Sequence, residues 1–380
     1  MEQKLGAELF DKEKRLGMGF LRLPLLNSGE PNDVDLPEVC RMVDAFFAAG
    51  YRYFDNAYFY LGNKSECYFK EAVTDRYPRA QFQLATKLPC TRLKEGESPY
   101  RIFNHQLEKC GVTYFDVYLL HGIDEEEYVL AHNRRYFDFL QELKDTGKAR
   151  CIGFSFHDSA AVLDRILTEH PEVDVVQIQL NYLDWDNPII QSGACYEVCR
   201  KHGKGIIIME PVKGGTLVNI PEQAKALMDA QDPGQTPASW ALRFAASHPG
   251  VVMVLSGMSS MEQIRENTAL FDNLAPLKEE ETRMLQACAR IIRSDVAIPC
   301  TGCAYCAPGC PVQIPIPQYF SLYNEHKRDG WQVDARGRYK EMTKVHPKAS
   351  ACIGCGQCEE KCPQHLPVMT HIQTVASGLE

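Results

Sequence analysis

The chain has 380 residues, 45% of them hydrophobic and 24% charged, and its 41 basic and 50 acidic residues give a formal net charge of −9. That length exceeds one small module and suits a large domain of about 250–300 residues with an appendage, while the apolar fraction excludes global disorder. Net acidity offers no general attraction for nucleic acid or an anionic membrane surface, so small molecules and proteins are the expected partners.

Residues 1–20 mix both charge signs around no apolar core, and no stretch approaches ~18 uninterrupted apolar residues. A cytoplasmic protein, neither exported nor membrane-spanning, is expected. In such a reducing compartment, those of the sixteen cysteines that recur at regular spacing read as metal or cluster ligands rather than disulfides.

From about residue 16 to 271, short apolar or β-branched runs alternate with amphipathic stretches of helical period. The expected strands are 16–23, 53–55, 82–87, 115–120, 149–154, 175–179, 205–209 and 251–255. The expected helices are 37–49, 64–76, 98–110, 136–145, 160–169, 189–201, 238–247 and 262–271. Gly50, Gly111, Gly147 and Gly203 punctuate helix ends, where a left-handed cap favours glycine. Eight consecutive βα units predict an α/β fold closed as a (β/α)8 TIM barrel. No G-x-G-x-x-G follows the first strand, which argues against an open dinucleotide-binding sheet.

A charged amphipathic helix at 278–293 ends the regular pattern, and composition then shifts to Cys, Pro and Gly. Two domains are expected, a barrel at 1–294 and an iron–sulfur domain at 295–380. The second holds Cys300-x2-Cys303-x2-Cys306-x3-Cys310-Pro311, repeated as Cys352-x2-Cys355-x2-Cys358-x3-Cys362-Pro363. Three evenly stepped thiolates converge on one cubane, and the fourth cysteine, preceding proline, is carried to the other cluster. The expectation is two [4Fe–4S] clusters, one on Cys300, Cys303, Cys306 and Cys362, the other on Cys352, Cys355, Cys358 and Cys310. Zinc knuckles use two ligand pairs across a longer gap and do not match. Helix-like patterning at 316–329 and 334–345 predicts a mainly helical ferredoxin-like domain. The other eight cysteines lack ligand spacing and read as small buried apolar residues; Cys90, in the loop past the third strand, stands apart from them.

Chemistry in such a barrel sits where strands end at its C-terminal face. Asp55 closes the second expected strand with Tyr60 in its loop, Lys87 closes the third and His121 the fourth. Singly these read as a cap, a snorkelling amine and a hydrogen-bonded filler. Together they form a proton-donating device: an ammonium held by Asp55 lowers the tyrosine pKa from its usual value near 10, and His121 polarises a carbonyl oxygen.

The stretch Phe54-Asp55-Asn56-Ala57-Tyr58-Phe59-Tyr60 with Ser65-Glu66, together with Thr86-Lys87, Leu120-His121 and Gly153-Phe154-Ser155, resembles the aldo-keto reductase family, specifically members carrying a C-terminal ferredoxin module. The resemblance covers the barrel, about two-thirds of the chain. It implies Tyr60 as general acid, Asp55 and Lys87 as its tuners, and His121 as the group orienting a small-molecule carbonyl substrate. It further implies an NADP or NAD site in which Ser155 and Gln177 hold the carboxamide. The implied shell also includes Gly19, Asp55 and Met209, the loop from Glu210 and Pro211 to Gly215 beside the pyrophosphate, and Gly257, Met258, Ser259, Gln263, Glu266 and Asn267 around the adenosine end. Departures from the family pattern are Phe156 in place of asparagine, Met209 in place of a stacking aromatic, and Gly257 and Gln263 in place of the cations that read a 2′-phosphate. NADPH, NADH and neither remain open.

Hydride chemistry moves two electrons and a cubane passes one, a mismatch usually bridged by flavin, which a TIM-barrel phosphate site accommodates without a fingerprint. Three readings follow: a carbonyl reductase using NAD(P)H with its clusters serving electron transfer; a reductase fed by a ferredoxin-like redox partner; and a non-catalytic electron-carrying or redox-sensing module. Substrate choice falls to the βα loops, including 124–135 and 183–188 with Trp185.

Overall fold

The computed structural model describes residues 9–26, 33–329 and 334–380. Part of the reading of residues 1–20 therefore lies outside the described residues. Among the described residues no helix is long and apolar enough to cross a membrane. The chain divides into two compact units, Met1–Pro211 with Ala241–Leu277, and Val212–Trp240 with Lys278–Glu380.

In the first unit eight parallel strands close into a barrel in chain order: β1 Leu16–Gly19, β2 Tyr53–Asp55, β3 Gln83–Pro89, β4 Phe115–Ile123, β5 Ala149–Phe156, β6 Val175–Gln179, β7 Gly205–Met209 and β8 Val251–Ser256. The helices between them include α1 Leu36–Ala48, α2 Ser65–Phe69, α3 Tyr100–Cys110, α4 Glu125–Asn133, α5 Tyr136–Asp145, α6 Ala160–Glu169 and α7 Ser192–Lys201. In chain order they continue with α8 Glu222–Gln231, which belongs to the second unit, α9 Pro237–Ala246, which spans the division, and α10 Met261–Asp272. Inside the barrel, Tyr53, Ala85, Val117, Leu119, Cys151, Val175, Ile207, Met253 and Leu255 form one buried cluster. Gly153 is needed where β5 meets β6, because a Cβ there would lie 1.9 Å from the Val175 carbonyl oxygen.

Several sequence expectations need correction. β1 stops at Gly19 rather than 23, its last bond to β2 running from Phe20 N–H to the Asp55 carbonyl at 2.9 Å. The helix expected at 64–76 is α2 followed by a π-helical turn, Lys70–Thr74. Residues 124–135, read as a loop, contain α4, whose N-cap Asp124 accepts from Glu127 N–H at 2.8 Å. With Glu125, Glu126 and Glu127 in its first turn and Tyr128 and Ala131 as its buried residues, α4 has little apolar period to read. The helix expected from 189 begins at Ser192. α8 was not anticipated.

The second unit adds α11 Glu279–Asp295, α12 Ile316–Asp329, α13 Ala335–Met342, α14 Gln357–Glu360 and α15 Val368–Leu379. Ile298, Ile314, Tyr319, Phe320, Leu322, Tyr339, Ile372 and Val375 are among its core residues, so this part is mainly helical, as its patterning predicts. The two cysteine motifs repeat one backbone path: Gly302 and Gly354, Ala304 and Gly356, and Gln313 and His365 all have positive φ, each pair 52 residues apart. Left-handed residues at matching places let each short loop turn its thiols inward.

Candidate active site and cluster-binding cysteines

Strand alternation decides which side chains reach the barrel mouth. Tyr53, Ala85, Val117, Leu119, Cys151, Val175 and Ile207 point inward, so residues two and four further along the same strands share that side. Those residues are Asp55 on β2, Lys87 on β3, His121 on β4, Ser155 on β5, Gln177 on β6 and Met209 on β7. Inward positions are apolar in the middle of the barrel and, apart from Met209, polar at the C-terminal ends of β2 to β7.

Register completes the convergence. Asp55 pairs with Ala85, two residues before Lys87, and Lys87 pairs with Leu119, two before His121. Lys87 Nζ donates to both Asp55 carboxylate oxygens at 2.7 and 2.8 Å and to the Asn56 carbonyl at 2.7 Å. Both side chains are buried. Burial pushes the Asp55 carboxyl up, against the pull of Lys87, and pushes the Lys87 ammonium down, against the pull of Asp55. Lys87 Nζ also lies 5.2 Å from the Tyr60 ring centroid. The Tyr60 and His121 rings meet edge to face at 5.9 Å, and Phe59 stacks on His121 at 4.5 Å. Burial, reinforced by the Lys87 ammonium and by repulsion from the neighbouring His157, holds His121 well below the usual histidine value, so its imidazole stays neutral. All four residues named from sequence are therefore brought together.

Behind them lies a buried network that sequence reasoning missed. Glu66 accepts from Thr86 Oγ1 at 2.8 Å, Gln106 Nε2 at 2.7 Å and Lys109 Nζ at 2.7 Å. Gln106 Nε2 also donates to the Lys87 carbonyl at 3.0 Å, and its Oε1 accepts from the Tyr118 hydroxyl at 2.7 Å. The network holds the Thr86 side chain and the Lys87 carbonyl of β3. Gln106 sits on the inner face of α3, where a polar residue among apolar neighbours was the available signal.

The residues of the implied dinucleotide shell are placed as follows. Ser155 Oγ accepts from Gly122 N–H at 2.8 Å, and Ser155 pairs with Gln177 across β5 and β6. Gln177 Nε2 contacts the Met209 sulfur at 3.6 Å, while its Oε1 is buried with no hydrogen-bond partner. Gly19 lies opposite Asp55 in the β1–β2 register, and a Cβ on it would come 3.5 Å from the Ser256 carbonyl. Ser259 Oγ donates to the Arg22 carbonyl at 2.8 Å and Ser259 N–H to Gln263 Oε1 at 2.7 Å. Asn267 Nδ2 donates to Ser256 Oγ at 3.1 Å, whereas Met258 is fully buried and packs as core. Glu266 is half-buried and Pro211 is buried. Arg22 is a second omission of the sequence reading: a Cβ on Gly257 would come 3.2 Å from its side chain, and its guanidinium lies 3.7 Å from the Glu210 carboxylate. A cation three residues past a barrel-strand glycine was the signal.

In the second unit, Cys300, Cys303, Cys306 and Cys362 line one cavity. Cys310, Cys352, Cys355 and Cys358 line another. Burial, followed by Cys303, Cys300 and Cys362, pushes the Cys306 thiol up, as expected where four like groups converge. The loop Lys213–Gly215 belongs to this unit. Lys213 Nζ donates to Gln364 Oε1 at 3.2 Å, and Gly214 lies so near the Thr301 backbone that a Cβ would come 2.1 Å from its carbonyl oxygen.

Residues 15–290 match the profile of the aldo/keto reductase family, and residues 299–366 match that of a 4Fe-4S dicluster domain. The chain is 29% identical over 250 residues to an aldo-keto reductase from Mycolicibacterium vanbaalenii, covering 65% of this chain and 81% of that one. It is 26% identical over 261 residues to L-galactose dehydrogenase from Arabidopsis thaliana, covering 62% and 79%. Among solved structures, the holo form of an aldo-keto reductase from Bacillus halodurans superposes with a TM-score of 0.59 at 22% identity, covering 72% of this chain and 91% of that one. An aldo/keto reductase from Klebsiella pneumoniae in complex with NADP and acetate gives 0.58 at 18% identity, covering 72% and 90%. These structural likenesses speak for the fold. The chain belongs to the aldo/keto reductase family: it is an oxidoreductase whose barrel is followed in sequence by a 4Fe-4S dicluster domain.

Proposed function

We propose that the barrel, residues 1–294, reduces the carbonyl group of a small molecule with NAD(P)H, and that residues 295–380 hold two [4Fe–4S] clusters serving electron transfer with a redox partner. The observation that carries the first part is the buried Lys87–Asp55 pair beside Tyr60 and a neutral His121. The dinucleotide has a fitting acceptor in Gln177 Oε1, buried without a partner, which a carboxamide N–H would satisfy. Ser155, Met209, Glu210 and the 257–267 segment complete its shell, with Arg22 beside Glu210 as a cation. The two four-cysteine cavities fit one cubane each, and Cys310 and Cys362 exchange between motifs.

A bound nicotinamide supplies hydride to the carbonyl carbon. This chain's own residues manage the proton. His121, neutral and stacked on Phe59, donates a hydrogen bond to the carbonyl oxygen and fixes its position. Tyr60 gives its hydroxyl proton to that oxygen as the C=O π bond breaks, so one C–H and one O–H bond form and the product is an alcohol. The Tyr60 phenolate left behind is stabilised by Lys87, whose charge Asp55 keeps in place, and is reprotonated from water.

Holo-protein assembled anaerobically should oxidise NAD(P)H with members of an aldehyde and ketone panel, and Tyr60→Phe should lower the rate by about 10²–10⁴-fold. Absence of turnover together with absence of dinucleotide binding would overturn the assignment. A second reading, in which electrons arrive singly from a ferredoxin-like partner, draws support from Met209, a thioether engaged with Gln177 where an aromatic would stack. Undiminished NAD(P)H-driven activity in a Cys355→Ser variant argues against that version. The cytoplasm remains the proposed compartment.

A further inference from the structure

A separate group of ligating side chains lies at the C-terminal ends of α4 and α6. His132 is the penultimate residue of α4, Glu169 the last of α6, and His170 its C-cap. One ligand atom from each falls within 4.8 Å of the other two. Nothing in carbonyl reduction calls on them.

The His170 ring is held in a definite orientation. Its face stacks on Phe137 at 3.7 Å and 10°, and its Nδ1 lies 3.0 Å from Glu172 Oε1. A carboxylate acceptor there makes Nδ1 the protonated nitrogen, so Nε2 carries the lone pair. That Nε2 is buried and has no hydrogen-bond partner. A histidine whose outer nitrogen is fixed by a carboxylate and whose inner nitrogen is an uncommitted donor is the arrangement that orients metal-binding imidazoles.

We propose that His132, Glu169 and His170 bind a divalent transition-metal ion of the zinc type, which ties the end of α4 to the end of α6. Two imidazoles and one carboxylate favour zinc over magnesium or calcium, which prefer all-oxygen shells. Three protein ligands leave one position of a tetrahedral shell to water. Ligands at the usual zinc distances stand about 3.4 Å apart, so the set must contract. His132 and Glu169 are exposed and have room to do so. Glu169 gives up its bond from the Tyr128 hydroxyl on Oε2, or turns its Oε1, which lies 3.9 Å from Arg165 Nε. Arg165, the competing cation, is drawn the other way by Glu125 at 2.7 Å.

The test uses full-length protein with its cysteine sites filled by iron and sulfide under anaerobic conditions, equilibrated with zinc sulfate and desalted. Wild type should retain one more zinc per chain than His132→Ala, an exposed position whose loss leaves the fold intact. Anomalous diffraction at the zinc edge should place the ion between the three side chains. Glu172→Gln, which keeps every ligand but loosens His170, should weaken zinc binding by about 10–100-fold, and magnesium sulfate should not compete. Equal zinc retention by wild type and His132→Ala, or an anomalous peak elsewhere with none here, overturns the proposal.

Discussion

Lys87 Nζ sits between the two carboxylate oxygens of Asp55, at 2.7 and 2.8 Å, with both side chains withdrawn from water. Desolvating two opposite charges is costly, and their attraction inside the protein repays the cost only while both partners remain. Lys87→Met should therefore destabilise the barrel by about 3–5 kcal/mol in denaturant titrations and abolish carbonyl reduction. Combining it with Asp55→Asn should recover much of that stability while the activity stays lost. Recovery of activity in the double variant would show that the pair does not serve the reaction.

Gln177 predicts a different split between stability and binding. Among the described residues its Oε1 lacks a hydrogen-bond partner and its Nε2 bonds to the Met209 sulfur, so Gln177→Leu removes little from the free protein. Dinucleotide affinity should fall by about tenfold, the worth of one hydrogen bond, with the melting transition unchanged. Calorimetric titration of both proteins checks this.

The crossed cysteine assignment is open to spectroscopy. If Cys362 serves the cluster of Cys300, Cys303 and Cys306, then Cys362→Ser and Cys303→Ser should perturb the same electron paramagnetic resonance signal. Cys310→Ser should instead perturb the signal altered by Cys355→Ser. Pairing of each fourth cysteine with its own motif would show the reverse pattern.

His248 supplies a pH dependence. Its ring stacks on Trp185 at 4.5 Å, its Nε2 is buried without a partner, and burial holds its pKa down to about 4. A lowered histidine pKa means that the unfolded chain binds the proton first as pH falls. Stability is then unaffected above the ordinary value near 6.5 and declines between there and about 4. From pH 7 to pH 5 the loss from this group is roughly 2 kcal/mol. His248→Phe, which keeps the stacking and cannot take a proton, should flatten that part of the profile measured by denaturant unfolding. An equal pH response in both proteins would refute the assignment.

Legibility differed from element to element for physical reasons. β2, β6 and β7, and α5 and α6, lie where the pattern places them, because the strands are short runs buried on both faces and the helices each commit one apolar face to the core. α4 escaped because its acidic first turn and two buried residues leave almost no apolar stripe. Asp55, Lys87 and His121 were legible because closure of a parallel barrel forces the last inward residues of successive strands together. Arg22, Phe59 and Gln106 were not, since a loop cation, a stacking ring and a polar helix residue acquire meaning from neighbours distant in sequence. The same holds for the three ligands at the ends of α4 and α6.

By itself the order of residues determined the number of βα units, the cysteine spacing of the C-terminal module and the identity of the residues at the strand ends, because each depends on local period or short covalent separation. Tertiary structure alone decided that Lys87 loses water and gains both Asp55 oxygens, that Gln177 keeps an acceptor in reserve, and that His170 comes together with His132 and Glu169. Those properties arise from burial and orientation, which are set by atoms that meet across strands and helices rather than along the chain.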